Sequence, residues 1–211
     1  ESVIIKNMVG REINDIYPKR LNKSFGDKVL EVTNWSAYNV QLGRNVVKDV
    51  NLHVKKGEII GIAGLMGSGR TELALSIFGN PKAYKLKGDL KVNDAPKTIK
   101  HPRDAIKAGI AYVTEDRKGD GLFLIQDIKS NVSAANMTGI SSSGIINHNE
   151  EVKVATEYKR SLNIKASSLE QVVGNLSGGN QQKVSIGKWL FAGPQILILD
   201  EPTRGIDVGA K

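Results

Sequence analysis

The chain has 211 residues, 40% hydrophobic and 25% charged, with a formal net charge of +8 and no cysteine. This is the make-up of a globular protein able to bury a core, and it excludes disulfides and cysteine-based metal sites. No apolar run approaches the roughly 20 residues of a membrane span, no signal-peptide pattern opens the chain, and sparse aromatics among scattered lysines argue against an RNA-binding face. Residues 1–26 have no sustained periodicity, carry Gly10 and Pro18 among mixed charges, and read as a linker or arm. Residues 30–35 and 50–54 alternate, which predicts two half-buried strands, and residues 55–58 form the turn to a short apolar run at 58–63. That run reads as a fully buried strand.

Residues 64–71, Gly-Leu-Met-Gly-Ser-Gly-Arg-Thr, follow the run and lead into a helix stopped by Gly79 and Pro81. Strand, glycine-rich turn, helix is the setting of a phosphate-binding loop. Gly64, Gly67 and Gly69 let backbone N–H groups turn inward on phosphate oxygens. The spacing is that of G-x-x-x-x-G-K-[ST], with Arg70 in place of the lysine and Thr71 in the hydroxyl position. Taken alone, the stretch also fits a glycine-rich turn that binds no nucleotide.

Further along, residues 88–94 read as an edge strand and turn, 102–108 as a short helix, 110–113 as a buried strand and 114–121 as a polar loop. Residues 122–173 read as a mostly helical insertion. In it Val152, Ala155, Tyr158 and Leu162 recur at helical spacing, and Asn147 with Glu150 is placed as a capping box. Residues 176–183, Leu-Ser-Gly-Gly-Asn-Gln-Gln-Lys, open a helix that runs to Phe191. A continuous apolar strand at 195–199 ends in Asp200-Glu201.

Both later stretches carry chemistry. A buried parallel strand delivers carboxylates at its C-terminal end, where ligands of open α/β sheets sit. Asp200 there can hold Mg2+ together with the Thr71 hydroxyl, and Glu201 can polarise a water. The pair equally fits a strand-terminal cap for a neighbouring helix. Ser177, Gly178 and Gly179 at a helix start make an anion site of free N–H groups and one hydroxyl; they also fit an ordinary capped helix.

The three stretches in order resemble the Walker A, signature and Walker B sequences of the ATP-binding-cassette (ABC) family. The likeness runs from about Val29 to the end of the chain, with Asp207 falling in the family's D-loop. Residues 70–72, 114–118, 176–183 and 200–211 look like the second cassette of bacterial monosaccharide importers, of the ribose, galactose, xylose and multiple-sugar type, whose ATPases carry two cassettes in one polypeptide. The resemblance implies an α/β P-loop NTPase fold: a parallel core sheet with an antiparallel β flank and a helical subdomain, truncated at the C-terminus. It implies residues 1–26 as inter-cassette linker, 27–121 as ATP-binding core, 122–175 as helical subdomain, and 176–211 as signature helix, Walker B strand and D-loop.

On the same footing, ATP and Mg2+ are the implied ligands. Gly64, Gly67, Ser68, Gly69, Arg70 and Thr71 hold the phosphates, Tyr38 stacks on adenine with Trp35 as alternative, and Thr71, Asp200 and Glu115 (in the Q-loop position) attend the metal. Glu201 is the implied catalytic base. Cassettes of the family pair head to tail, so Ser177 and Gly179 face the γ-phosphate in the paired site; Gly178 and Asp207 are implied nucleotide-binding residues as well. Arg70 is not a conservative replacement for lysine, since a planar guanidinium is larger than an ammonium and suited to bidentate contact. With it, this chain's own site is expected to be the lesser of the two.

The implied partners are the first cassette, transmembrane permease subunits and, indirectly, a sugar-binding protein, at the cytoplasmic face of the bacterial membrane, with no nucleic acid. A soluble cassette acting on nucleic acid is the alternative that the charge suits. Thr71 and Leu176 lie too close in sequence, however, to enclose the long coiled coil of chromosome-maintenance cassettes. A regulatory half that binds ATP without hydrolysing it is the other. None of His53, His101 and His148 is expected to act as the family's switch histidine.

Overall fold

A computed structural model describes residues 24–206; the linker stretch before them and Asp207 lie outside the described residues. Strands β1 (Lys28–Asn39) and β2 (Arg44–Lys55) form an antiparallel hairpin. Strand β3 (Lys85–Val92) pairs antiparallel with the other edge of β1, and the short β4 (Ala95–Pro96) pairs with β3, giving the order β2-β1-β3-β4. The stretch expected as an edge strand at 88–94 therefore lies inside the sheet.

Alternation along β1 is broken once. Leu30 and Val32 are buried, and so are Trp35 and Ala37, which have the opposite parity. A register shift between Val32 and Trp35, with Asn34 at φ +50°, inserts the extra residue that turns both pairs inward. Gly88 faces this bulge at φ +110°. A Cβ there would lie 2.6 Å from the carbonyl oxygens of Thr33 and Asn34, so the strand crosses the bulge only as glycine.

Helix α1 (Arg70–Ile77) packs under this sheet, with Leu73, Ala74 and Ile77 buried. Trp35 donates through Nε1 to Ser76 Oγ at 2.9 Å, tying β1 to α1 inside the core. Helix α2 (Pro102–Lys107) precedes β5 (Ile110–Val113), which is buried throughout and pairs parallel with β8 (Ile196–Leu199). Parallel pairing among the described residues is this two-stranded ladder.

The run at 58–63, expected as a buried strand, joins no ladder. Ile59 and Ile62 are 79% and 52% exposed. The physical reason is the lack of a neighbour: a cleft of about 610 Å³ separates residues 58–62 from the unpaired edge of β8. Apolar composition marks a segment able to be buried, but a strand needs a partner for its backbone groups.

Residues 122–176 contain α3 (Ile128–Ser133), a small hairpin of β6 (Ser141–Ser142) and β7 (Ile145–Ile146), and α4 (His148–Ser161). The Asn147 side chain caps α4 by accepting from the Asn149 and Glu150 amides. The expected reciprocal bond from Glu150 is not made, because its carboxylate engages Lys153 at 3.4 Å. A full capping box forms instead on α2, between His101 and Asp104.

Helix α5 (Gly178–Phe191) joins the two halves of the core. Its Val184 belongs to a cluster with Ile128, Val132 and Val173, while Trp189 packs edge-on against Phe78 at 5.3 Å in the cluster under the large sheet.

Candidate functional site

The loop before α1 is built by its glycines. Gly67 and Gly69 hold φ of +79° and +91°. A Cβ on Gly69 would lie 2.3 Å from the Val46 carbonyl oxygen, and one on Gly64 2.5 Å from Ser68 Oγ. The Ser68 amide donates to Leu65 O at 3.0 Å, and the first helical bond runs from the Leu73 amide to Gly69 O at 2.8 Å. Gly69 is the N-cap and brings no side-chain cap. The amides of Arg70, Thr71 and Glu72 are thus left as donors at the positive end of the helix, an arrangement suited to an anion.

The carboxylates arrive from the other direction. Beyond β8 the Asp200 amide donates to Val113 O at 2.9 Å, which extends the parallel ladder by one step and sets Asp200 at the C-terminal end of the strand pair. Asp200 is buried, and its Oδ2 accepts from the Tyr112 hydroxyl at 3.0 Å. Burial, with the Asp200 carboxylate beside it, pushes the Tyr112 phenol well above its usual range, so the hydroxyl stays a donor. Oδ1 of Asp200 accepts no hydrogen bond among the described residues.

Glu201 follows at φ +45°, left-handed for a residue with a side chain, and turns its carboxylate to Arg70. Oε1 of Glu201 lies 3.2 Å from Arg70 Nη1. Arg70, Asp200 and Glu201 line the same cleft, the one bounded by residues 58–62 and β8.

Thr71, half-buried in the first turn of α1, and Asp200, in the cleft, carry the kinds of oxygen that Mg2+ takes. Among the described residues, no three histidine or acidic side chains are grouped so as to hold a metal ion by themselves. One hydroxyl and one carboxylate oxygen fit Mg2+, which takes few protein ligands and completes its octahedron with phosphate and water. Glu115 is engaged elsewhere, in an ion pair with Arg204. It can reach such an ion only if that pair opens.

Tyr38 is half-buried near the tip of the β1–β2 hairpin and opposite Asn45, the neighbour of the Val46 whose carbonyl closes on Gly69. Trp35, the alternative for the same role, is committed to the core. Of the histidines, His53 lies in β2, His101 caps α2, and His148 is the exposed first residue of α4.

Ser177 is the N-cap of α5, yet its hydroxyl makes no cap bond; Oγ accepts from Asn180 Nδ2 at 2.9 Å and remains exposed. The amides of Gly178, Gly179 and Asn180 precede the first helical bond, Gln181 N to Ser177 O at 2.9 Å. No hydrogen bond or ion pair among the described residues joins 177–179 to the loop at 64–71. The chain presents two separate anion cradles. Sequence reasoning gave no role to Tyr112, or to Arg117 within the 114–118 stretch, although both touch these motifs. Each acts through a partner about 90 positions away, a contact only the fold creates.

A family model described as ABC transporter matches residues 47–204. The chain is 48% identical to the L-arabinose transport ATP-binding protein AraG of Geobacillus stearothermophilus, an alignment covering 100% of this chain and 41% of that protein. It is 49% identical to the xylose import ATP-binding protein XylG of Thermoanaerobacter pseudethanolicus, covering 100% and 42%. With the ribose import ATP-binding protein RbsA of Bacillus subtilis it shares 44% identity, covering 99% and 40%. The chain thus spans about two fifths of the length of these relatives. Its fold is similar to a nucleotide-free ATP-binding cassette from an ABC transporter, with a TM-score of 0.72 and 22% identity over 87% of this chain and 72% of the other. The cassette MJ0796, solved as a dimer in a post-hydrolysis state with ADP and Pi, gives 0.69 and 22% over 86% and 77%.

Proposed function

The chain belongs to the ABC transporter family, and from that premise we propose that it is the second, C-terminal nucleotide-binding cassette of a bacterial monosaccharide importer. It binds and hydrolyses ATP at the cytoplasmic face of the membrane. The sugar-import names of relatives at 44–49% identity support the substrate class. In this reading residues 1–26 link it to a first cassette, 27–121 form the ATP-binding core, 122–175 and the 114–121 loop receive a permease subunit, and 176–211 carry the signature and Walker B. A sugar-binding protein acts through the permease, and nucleic acid has no part.

Mg2+ bound with ATP supplies charge neutralisation across the phosphates. The chain's own residues do the rest. The uncapped amides at the start of α1 bind the phosphates, Thr71 and Asp200 hold the ion, and Tyr112 keeps the Asp200 carboxylate in place. Glu201 accepts the proton of the water that attacks the γ-phosphorus while the bond to the bridging oxygen of ADP breaks.

The observation that carries the asymmetry is the Arg70–Glu201 ion pair. A guanidinium on the base competes with the attacking water for the same carboxylate oxygen, so this chain's own site is the slower one. Ser177, Gly178 and Gly179 complete the faster site, in the partner cassette. The same ion pair favours a second reading, a half that binds ATP without turnover. ATPase assays on the two-cassette protein separate these readings. We expect Ser177→Arg to remove most turnover and Arg70→Lys to change it little. A several-fold rise with Arg70→Lys, beside no effect of Ser177→Arg, reverses the assignment.

A further inference from the structure

Three segments of the chain meet at the side chain of Arg117. This residue opens the turn Arg117–Gly121, in the loop that follows β5. Its Nη1 donates to the Arg204 carbonyl at 3.0 Å, in the turn that also carries Glu201. Its Nη2 lies 2.9 Å from where a Cβ on Gly178 would stand, at the first turn of α5, and 3.6 Å from the corresponding point on Gly205. Gly178 and Gly205 touch each other as well: the same Cβ on Gly178 would come within 3.1 Å of Gly205 O. A second tie runs alongside, the ion pair of Glu115 with the side chain of Arg204. Glu115 and Arg117, two positions apart on one loop, thus hold Arg204 by its side chain and its main chain.

From this junction we propose that Arg117 is a positioning residue that locks the signature end of α5 to the Glu201 turn, so that the two cannot move independently. Its guanidinium reaches all three segments; Gly178 leaves it the room that a Cβ 2.9 Å from Nη2 would take, while Gly205 serves the turn through its φ of +65°. The consequence rests on the head-to-tail reading above. There Glu201 serves this chain's own nucleotide while Ser177 and Gly179 serve the partner's, so the lock at Arg117 makes occupancy of one site felt at the other. Coupling of this kind needs an element that both sites bias. The rigid unit of turn and helix start is that element, and Arg117 touches neither nucleotide.

The chain has no cysteine, so spin labels can be placed at will. Labels at the exposed Asn175 and Thr203, through Asn175→Cys and Thr203→Cys, report the spacing of the two segments by electron–electron double resonance. We expect a narrow distance distribution that broadens in Arg117→Gln, with the thermal midpoint little changed. Gly178→Ala, which leaves the arginine but takes its space, serves as the second variant and broadens the distribution likewise. The double variant is no broader than either single one, because both act on one joint. An unchanged width in both single variants, or additive broadening, overturns the lock.

Mg2+ with ADP is the probe for coupling, with binding followed separately by calorimetry. We expect ADP to leave the 175–203 distance unchanged in the otherwise unaltered chain, where the two segments move as one, and to shift it in Arg117→Gln, where the Glu201 turn moves without the helix start. Binding that shifts the distance in the otherwise unaltered chain, or that shifts it in neither form, overturns the coupling. Absence of any ADP binding sinks the nucleotide-site reading instead, and the widths still decide the lock.

Discussion

Lys188 is the most confined cation among the described residues. It sits on α5 at 7% exposure, donates through Nζ to Gly121 O at 2.5 Å, and lies 5.0 Å from the centre of the Trp189 ring. Burial without a carboxylate partner lowers its pKa from 10.5 to about 8. The unfolded chain therefore binds more protons than the folded one between those two values, and stability must rise with pH across that window. The charge costs about 3 kcal/mol at neutral pH, and the gain as it is lost approaches roughly 1.4 kcal/mol per pH unit. Tyr112 acts in the opposite sense, but only above pH 10, the value at which its unfolded counterpart ionises. Denaturant midpoints between pH 8 and 10 isolate the lysine. The unaltered chain is expected to gain stability over that range, and Lys188→Met to start higher and stay flat. A flat profile in the unaltered chain would show the ammonium to be fully compensated by Gly121 and Trp189.

At the scale of elements, α5 packs against the C-terminal end of α4 at Gly187, where a Cβ would meet Leu162 Cδ1 at 3.3 Å and Tyr158 Cβ at 3.5 Å. The backbone there is ordinary helix, so glycine is not needed for its conformation. Gly187→Ala gains about 0.8–1 kcal/mol of helix propensity, against a neighbour that is the end of a flexible leucine. We expect it to be neutral or slightly stabilising in chemical denaturation. Gly187→Leu must part the helices and lose about 1–3 kcal/mol. If both variants destabilise alike, the α4–α5 spacing is fixed by something other than this contact. The same elements mark what the sequence could disclose. Periodicity and capping residues placed α4 and α5 within a residue or so, because helices are built from local bonds. The bulge at Asn34, which reverses the facing of Trp35, and the inner place of β3 depend on pairing across the sheet, to which local alternation is blind. The run at 58–63 was misjudged for the same reason. In the candidate site, the family resemblance assigned Arg70, Asp200 and Glu201 to one nucleotide site, and all three line one cleft. The contacts of Glu115 and Arg117 with Arg204 connect residues too distant in sequence for spacing to suggest them.

Over the whole molecule, two apolar clusters are bridged by α5, while the cleft beside β8 leaves a substantial apolar surface open. Ile59, Ile62, Leu197 and Leu199 are all exposed along it, and β8 keeps one edge unpaired among the described residues. Such a combination of free strand edge and exposed aliphatic side chains favours association with other chains. The chain in isolation is therefore expected to self-associate as its concentration rises, despite a net charge of +8 that opposes contact. Ile62→Lys and Leu199→Lys place charge on the two walls of the cleft. Because both side chains are already about half exposed, each substitution is expected to change stability by no more than about 0.5 kcal/mol. Static light scattering over a concentration series, read beside the denaturation midpoint, tests the expectation. Suppressed scattering at an unchanged midpoint identifies the cleft as the adhesive surface. Scattering that persists in both variants moves the origin of association elsewhere, for example to the exposed Phe123 and Ile125 that follow the 114–121 loop. Salt separates the charge opposing contact from the apolar attraction: screening by added sodium chloride should strengthen association of the unaltered chain.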